Sequence, residues 1–117
     1  MMSLALGASL PAVAFASAGL TPPSLAPILT ADVASMSYVV SLEWTASNKT
    51  DSPGFNYQLY TSRDGVTFIT DATTNALFYD YNVSVGDEGS WYFKIVPLND
   101  AGNGPASNIA TAYIPGL

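Results

Sequence analysis

The chain has 117 residues, of which 49% are hydrophobic and 12% aromatic, enough to build the core of one small domain. Only 10% of the residues are charged, against roughly 25% in an average soluble domain, and the net charge is −6 with three scattered cations, Lys49, Arg63 and Lys94. Three cations cannot neutralise a run of phosphates, so we expect no nucleic-acid partner and no attachment to a membrane. The absence of Cys and His excludes thiolate chemistry and removes the commonest general base.

The first twenty residues carry no charge, and three interpretations compete for them. A secretory signal peptide would explain the apolar run and the small residues at 15–18, but a cationic start is missing and Pro11 interrupts the run. The second interpretation is a membrane helix, which needs about 20 unbroken apolar residues. Gly7 and Ser9 interrupt the apolar run, so this prediction is weak. The third interpretation, which we favour, is an extended arm that docks into neighbouring subunits.

An uncharged apolar terminus needs a surface to hold it, because free termini are otherwise disordered. The large side chains expected to contact a partner are Leu4, Leu6, Leu10, Val13, Phe15 and Leu20. The alternative is that the arm packs back on its own domain. Pro22 and Pro23 favour an extended linker. We therefore divide the chain into an N-terminal arm with its linker, residues 1–23, and a folded domain, residues 24–117.

From Ser24 onward, hydrophobic residues alternate with a period of two, and turn residues recur at short intervals, which predicts an all-β sandwich or barrel. The seven predicted strands lie near residues 27–32, 38–45, 55–62, 66–70, 76–83, 91–97 and 107–114. The turn at residues 63–65 contains Asp-Gly, a hairpin signal. The side chains predicted to form the core are Trp44, Tyr57, Leu59, Trp91, Phe93 and Ile95.

Several of these residues form a recognisable pattern. An alternating strand ends in Trp44, Tyr57 begins the next strand, and a later segment reads Phe93-x-Ile95-x-Pro97-x-Asn99-x-x-Gly102. Over residues 23–115 the chain resembles the fibronectin type III family. This resemblance implies a seven-stranded immunoglobulin-like β-sandwich, here with an extended N-terminal arm. The departure is Trp91, where the family has a tyrosine whose hydroxyl bonds the backbone at the strand corner; an indole N–H can donate but cannot accept.

No residues form a convincing catalytic or metal site. The acidic residues fall mostly in predicted turns, where Asp is favoured for its local backbone bonds. A hydrolase would need two carboxylates facing one cleft, so we expect no enzymatic activity. Asp87-Glu88 and residues 100–103 offer oxygen ligands for Ca²⁺, but their spacing matches no known loop. We expect no cofactor and no metal.

Four tyrosines are candidates for surface binding: Tyr60, Tyr79, Tyr81 and Tyr92. Exposed tyrosines suit protein interfaces and sugar-binding faces because they offer area and a hydroxyl. Cross-strand pairing, which stabilises a sheet without any ligand, explains them equally well.

The resemblance implies a binding or scaffolding module, a class found in animal adhesion proteins, secreted bacterial enzymes and bacteriophage virions. A single module that starts with Met1-Met2 and an apolar arm fits a virion subunit, such as a capsid decoration, neck or tail protein. We then expect a homo-oligomer or multi-copy assembly, virion proteins as partners of residues 1–23, and host-surface carbohydrate as a further partner. The alternative is a secreted bacterial module that binds carbohydrate or protein, with residues 1–18 as its signal peptide.

Overall fold

A computed structural model describes residues 19–116, which form eight β-strands and no helix. The strands are β1 Leu29–Val33, β2 Val39–Trp44, β3 Asn56–Ser62, β4 Ile69–Thr74, β5 Phe78–Asn82, β6 Gly89–Asn99, β7 Gly102–Asn103 and β8 Ala110–Ile114. This part of the chain therefore contains no helix that could cross a membrane. Five of the large arm side chains expected to contact a partner lie outside the described range: Leu4, Leu6, Leu10, Val13 and Phe15.

The strands form two antiparallel sheets. One sheet has the order β1-β2-β5, and the other has the order β4-β3-β6, with β7 and β8 both paired to β6. The two sheets face each other across a shared core, so the predicted all-β sandwich is confirmed. The described residues contain one strand more than the seven predicted, because the loop after β6 includes the two-residue strand β7.

The core follows from the alternation of side chains along the strands. On β2 the buried residues Val40, Leu42 and Trp44 alternate with more exposed ones, which places every second side chain between the sheets. The other sheet contributes its own alternating set from β3 and β6. The buried cluster contains all six side chains predicted for the core, namely Trp44, Tyr57, Leu59, Trp91, Phe93 and Ile95.

The strand register defines two ends of the sandwich. At one, here called the arm end, Leu29 pairs with Trp44 and Asn56 pairs with Leu98. At the other, here called the far end, Ser62 pairs with Tyr92. Residues 19–28 lead into β1 at the arm end, whereas β8 finishes at the far end, where Ile114 pairs with Gly89.

The predicted strand at residues 66–70 is wrong in position, since β4 spans Ile69–Thr74. The reason is the loop before it. Asp64 Oδ1 accepts hydrogen bonds of 2.9 and 2.8 Å from the backbone N–H groups two and three residues further on, and one of 2.9 Å from the Ser62 hydroxyl. These bonds hold residues 63–68 as one loop, which is longer than the turn predicted at residues 63–65.

Candidate functional site

The segment at residues 20–25, here called the arm root, is held against the arm end by polar side chains. The Lys49 ammonium donates to the Thr21 hydroxyl and, at 3.2 Å, to the Pro22 carbonyl. The Asn99 side-chain amide donates to the Thr21 carbonyl at 2.9 Å. Asn99 is buried and Lys49 is half-buried, so neither group is a free surface side chain. The first part of the arm root is therefore tied to the loop that contains Lys49 and to the end of β6 at Asn99.

A second set of bonds fixes the remainder of the arm root. Ser24 and Asn48 bond each other twice, both at 2.8 Å, and the Ser47 hydroxyl donates to the Leu25 carbonyl at 2.6 Å. Gly104 lies so close that a Cβ placed on it would sit 2.5 Å from the Pro23 carbonyl oxygen. The segment predicted as a linker thus packs against the sandwich, and the arm leaves from a fixed point. The domain boundary at residue 23 stays a prediction.

The arm residues expected to bind a partner divide accordingly. Leu20, the last of them, is half-buried at the start of the arm root. The other five fall in residues 1–18, outside the described range, so their contacts stay a prediction.

The four tyrosines do not share one surface. Tyr79 and Tyr81 pair with the buried residues Leu42 and Val40 of β2, so their rings turn inward and pack against the core. This corrects the expectation that they face outward, and the physical reason is the register of β5 against β2. Burial raises the pKa of the Tyr81 phenol, and the nearby Asp71 carboxylate adds to that shift.

Tyr60 and Tyr92 lie on the outer face of the other sheet. The Lys94 ammonium lies 5.3 Å from the Tyr60 ring centre and 4.6 Å from that of Phe68, and Tyr92 lies against Gly65. The pair of Tyr60 on β3 and Lys94 on β6 matches the cross-strand pairing that was the alternative to a binding role, whereas Tyr92 contacts the loop at Gly65. A ligand role for Tyr60 and Tyr92 stays a prediction.

Trp91 makes a hydrogen bond to the backbone at the strand corner, where the family has a tyrosine hydroxyl. Its indole N–H donates to the Asp87 carbonyl at 2.9 Å, four residues upstream. The Arg63 guanidinium lies 4.4 Å from the Trp91 ring centre and donates to the Glu88 and Ser90 carbonyls at 2.7 and 3.1 Å. An indole donor therefore replaces the tyrosine hydroxyl, and the arginine covers the ring.

Two cavities open on the described part of the sandwich, and the first of them alone is lined by residues of both β4 and β5. In the described residues β4 and β5 each end their sheet, and the gap between these two edges is here called the open seam. Toward the far end, a cavity of about 390 Å³ is lined by Ile69, Tyr81 and Trp91 together with loop residues 61–67. Toward the arm end, a cavity of about 340 Å³ is lined by Ala46, Thr50, Phe55, Tyr57, Asn75 and Leu77. Sequence reasoning missed this site, because it arises only when two strand edges are brought together.

Two acidic side chains, Asp64 and Glu88, accept hydrogen bonds within the domain. Glu88 accepts a 2.5 Å bond from the Tyr38 hydroxyl, which lowers the pKa of the Glu88 carboxyl and raises that of the Tyr38 phenol. Backbone bonds from Val66 and Thr67 lower the pKa of Asp64. Within residues 19–116 no three acidic side chains converge on a point that would hold a metal ion. The hydrogen bonds of Asp64 and Glu88 therefore stabilise the turns in which these two residues lie.

Comparison with known proteins gives matches at the level of structure only. No family model and no curated protein matches the sequence. A Fn3-like protein from Clostridium thermocellum superposes with a TM-score of 0.62 and 22% identity, covering 81% of this chain and 96% of that one. The fibronectin type-III domain of human fibronectin type III domain containing protein 3 gives a TM-score of 0.61 and 20% identity, covering 84% and 90%. Domains A168–A170 from titin give 0.62 and 15%, covering 79% of this chain and 32% of that one.

Proposed function

The chain has the fibronectin type III fold, and we propose that it is a non-enzymatic structural and binding subunit anchored in a multi-copy assembly through residues 1–23. We further propose that the assembly is a bacteriophage virion, in which the chain serves as a capsid decoration, neck or tail component. The sandwich would then face outward, where it can contact other virion proteins or host-surface carbohydrate.

The fixed arm root is the observation that carries this proposal. An apolar segment joined through a loose linker could move independently of its domain. Here the bonds from Lys49, Asn99 and Asn48 set the point and direction of departure, so docking the arm would also orient the sandwich. Rigid placement of this kind reduces the entropy lost when a partner is bound.

The surface of the sandwich supports the same proposal. The chain is sparsely charged, and large apolar side chains such as Val66, Phe78 and Val85 are 82%, 62% and 78% exposed. An exposed apolar surface with few charges is typical of proteins that contact other proteins. The Asp64 and Glu88 carboxylates bond backbone groups of their own turns, which supports a structural role for these two acidic side chains.

Incorporation into particles tests the role of the arm. Tagged full-length chain and a variant lacking residues 1–18 are expressed in cells that produce the particles, and the particles are purified by density. We expect the full-length chain to be incorporated and the truncated chain to be excluded, with circular dichroism showing that both are folded. Leu6→Asp serves as a point variant that leaves the chain length unchanged. Equal incorporation of the truncated and full-length chains would contradict the anchoring role.

The natural N-terminus separates the virion from a secreted module. Mass spectrometry of the chain from its source should find residues 1–18 retained, and should find the chain in purified particles. A mature chain that begins near Gly19 and is recovered only from the culture medium would instead support the secreted carbohydrate- or protein-binding module, with residues 1–18 as a cleaved signal peptide.

A further inference from the structure

The outer faces of the two sheets differ in charge. The exposed outward positions of the sheet β1-β2-β5 include Asp32, Glu43 and Asp80, one on each strand, and no cation. In the other sheet, β6 and the strands paired with it, β3, β7 and β8, contain no acidic residue. Lys94 on β6 is the only cation in any strand of the described residues. The outer face of the second sheet, here called the Lys94 face, is therefore set apart in a chain of net charge −6.

Aromatic rings hold the Lys94 side chain in place. Its ammonium lies 4.6 Å from the ring centre of Phe68 and 5.3 Å from that of Tyr60, its partner on β3. No hydrogen bond or ion pair within residues 19–116 uses this ammonium. Asp71 on β4 lies near Tyr81 of the other sheet, where it adds to the rise in phenol pKa that burial causes. The rings thus fix the position of a cation without neutralising it, and its N–H groups can bond an anion.

Three tyrosines form a diagonal across the Lys94 face. Tyr60 on β3 is paired with Lys94, and Tyr92 lies two residues further along β6 toward the far end. Tyr113 on β8 is paired with Ser90, two residues beyond Tyr92. Each step crosses one strand and moves two residues along it, which separates neighbouring tyrosines by about 7–8 Å. This row of Tyr60, Tyr92 and Tyr113, here called the tyrosine diagonal, is therefore about 15 Å long.

The loop at residues 63–68 supports the same face from one side. Gly65 lies beside the Tyr92 ring, since an added Cβ would come within 3.2 Å of a ring carbon, and Phe68 of this loop contacts Lys94. The hydrogen bonds of Asp64 that hold the loop therefore also fix the surroundings of Tyr92 and Lys94. A site whose groups are already fixed loses less conformational entropy when a ligand binds.

The chemistry of the Lys94 face indicates a sugar that carries a carboxylate. Tyrosine rings offer flat apolar area, and their hydroxyls both donate and accept hydrogen bonds, which suits a ring covered with hydroxyl groups. A carboxylate on that sugar would form a charge-assisted hydrogen bond with Lys94. It would meet no other carboxylate on β3, β6 or β8, so the match is one anion to one cation.

A second copy of the chain is a less favourable occupant of this face. The acidic sheet face that it would offer carries Asp32, Glu43 and Asp80, three carboxylates against the single Lys94. At least two of these charges would lose water without gaining a cation, which opposes association. The net charge of −6 on each copy adds a general repulsion.

We propose that the Lys94 face binds carbohydrate that carries a carboxylate, with sugar rings on the tyrosine diagonal and the carboxylate on Lys94. This inference rests on the proposed function, in which the sandwich contacts host-surface carbohydrate, and it names the class of sugar and the residues that bind it. Sialic acids and uronic acids share this chemistry, and the probes below distinguish them.

Isothermal titration calorimetry of the full-length chain tests the site with paired probes. 3′-Sialyllactose and trigalacturonic acid are each compared with their methyl esters, which keep the rings and remove the charge. We expect one carboxylated probe to bind about 10- to 100-fold more tightly than its ester, the factor that corresponds to one charge-assisted hydrogen bond. The pair that shows this preference identifies the sugar as a sialic acid or a uronic acid.

Variants with matched controls assign the residues, and circular dichroism verifies that each is folded. Lys94→Gln should remove the preference for the carboxylated probe, whereas Lys94→Arg should retain it, because a guanidinium also binds a carboxylate. Tyr113→Ala should weaken binding of the carboxylated probe. Phe78→Ala should leave it unchanged, since Phe78 is as exposed as Tyr113, at 62% against 63%, but lies on the outer face of the other sheet.

Equal affinity for each probe and its ester, no binding of either carboxylated probe at millimolar concentration, or an unchanged preference in Lys94→Gln would each overturn this inference. A dimer in sedimentation velocity that Lys94→Gln abolishes would also overturn it, because the Lys94 face would then bind a second copy. None of these results affects the anchoring role of the arm, which incorporation into particles tests separately. If the truncated chain is incorporated normally while the carboxylated probe binds through Lys94, the anchoring role fails and the carbohydrate site stands.

Discussion

The two tryptophans use their indole N–H groups in opposite ways, and this difference gives a quantitative prediction. Trp91 is 8% exposed, donates to the Asp87 carbonyl at 2.9 Å and lies under the Arg63 guanidinium. Trp44 is 5% exposed, and its buried N–H has no hydrogen-bond partner among the described residues. Burial alone therefore predicts that Trp44 contributes more than Trp91 to the free energy of unfolding.

The hydrogen bonds predict the opposite order of stability losses when each tryptophan is replaced by Phe. Both changes remove the same side-chain volume, so their packing losses cancel to a first approximation. Trp91→Phe also loses a hydrogen bond with a net contribution of about 0.5–1.5 kcal/mol and a cation–π contact of about 0.5–1 kcal/mol. Trp44→Phe removes an unpaired buried donor, which relieves a desolvation cost of about 1–3 kcal/mol. We therefore expect Trp91→Phe to be more destabilising by about 2–5 kcal/mol.

Urea unfolding monitored by fluorescence measures this difference, because each variant keeps one tryptophan as a probe. In thermal unfolding, each kcal/mol corresponds to about 4–8 °C in a domain of this size. Trp91→Tyr is the matched control, since its hydroxyl can still donate at the corner and should restore part of the loss. Equal losses at the two positions, or a larger loss at Trp44, would refute this hydrogen-bond argument. A Tyr variant no more stable than the Phe variant would show that the corner bond contributes nothing.

Three further predictions concern the arm root and the turns. Gly104→Ala should destabilise the domain by about 1–3 kcal/mol in thermal unfolding, because the added Cβ would meet the Pro23 carbonyl oxygen. Gly19→Ala is the control, since a Cβ there meets nothing within 4 Å. Equal unfolding temperatures of the two variants would contradict the contact between Gly104 and the arm root. Lys49→Met should speed hydrogen exchange at the Ser24 amide, which is bonded to Asn48, while leaving global stability within about 0.5 kcal/mol. Unchanged exchange would mean that the ammonium does not hold the arm root. Hydrogen bonds lower the folded-state pKa of Asp64 below its ordinary value of 3.8 and that of Glu88 below 4.5. Each ionised carboxylate therefore stabilises the fold at a pH above its ordinary pKa. That stabilisation is lost as the pH falls through the lowered, folded-state pKa. The urea midpoint should therefore fall on acidification below pH 4.5, less steeply in the Asp64→Asn/Glu88→Gln variant, and parallel curves would refute the assignment.

The core of the fold was accessible from the sequence because its strands are regular. On β2, β3 and β6 the buried and exposed residues alternate, and each strand carries large side chains that only an interior can accommodate. β4 lacks this signal. It is a largely exposed edge strand rich in Thr and Asp, and the loop that sets its start depends on the side chain of Asp64.

The candidate site was less accessible because it depends on contacts between distant parts of the chain. Pro22 and Pro23 predict an extended path, but only the fold brings Lys49 and Asn99 to the same segment. The alternation in β5 predicts two faces without saying which is inner, and pairing with β2 decides that Tyr79 and Tyr81 turn inward. The open seam likewise has no signature in any single strand.

The positions of the arm root and of Ile114 at opposite ends make the sandwich a spacer of defined length. β6 spans 11 residues between these ends, or about 35 Å at the rise of an antiparallel strand. A peptide or reporter joined after β8 would stand about this distance from the arm root, at the opposite end of the sandwich. The described part of the chain is therefore suited to hold an added sequence at a fixed height above the arm root.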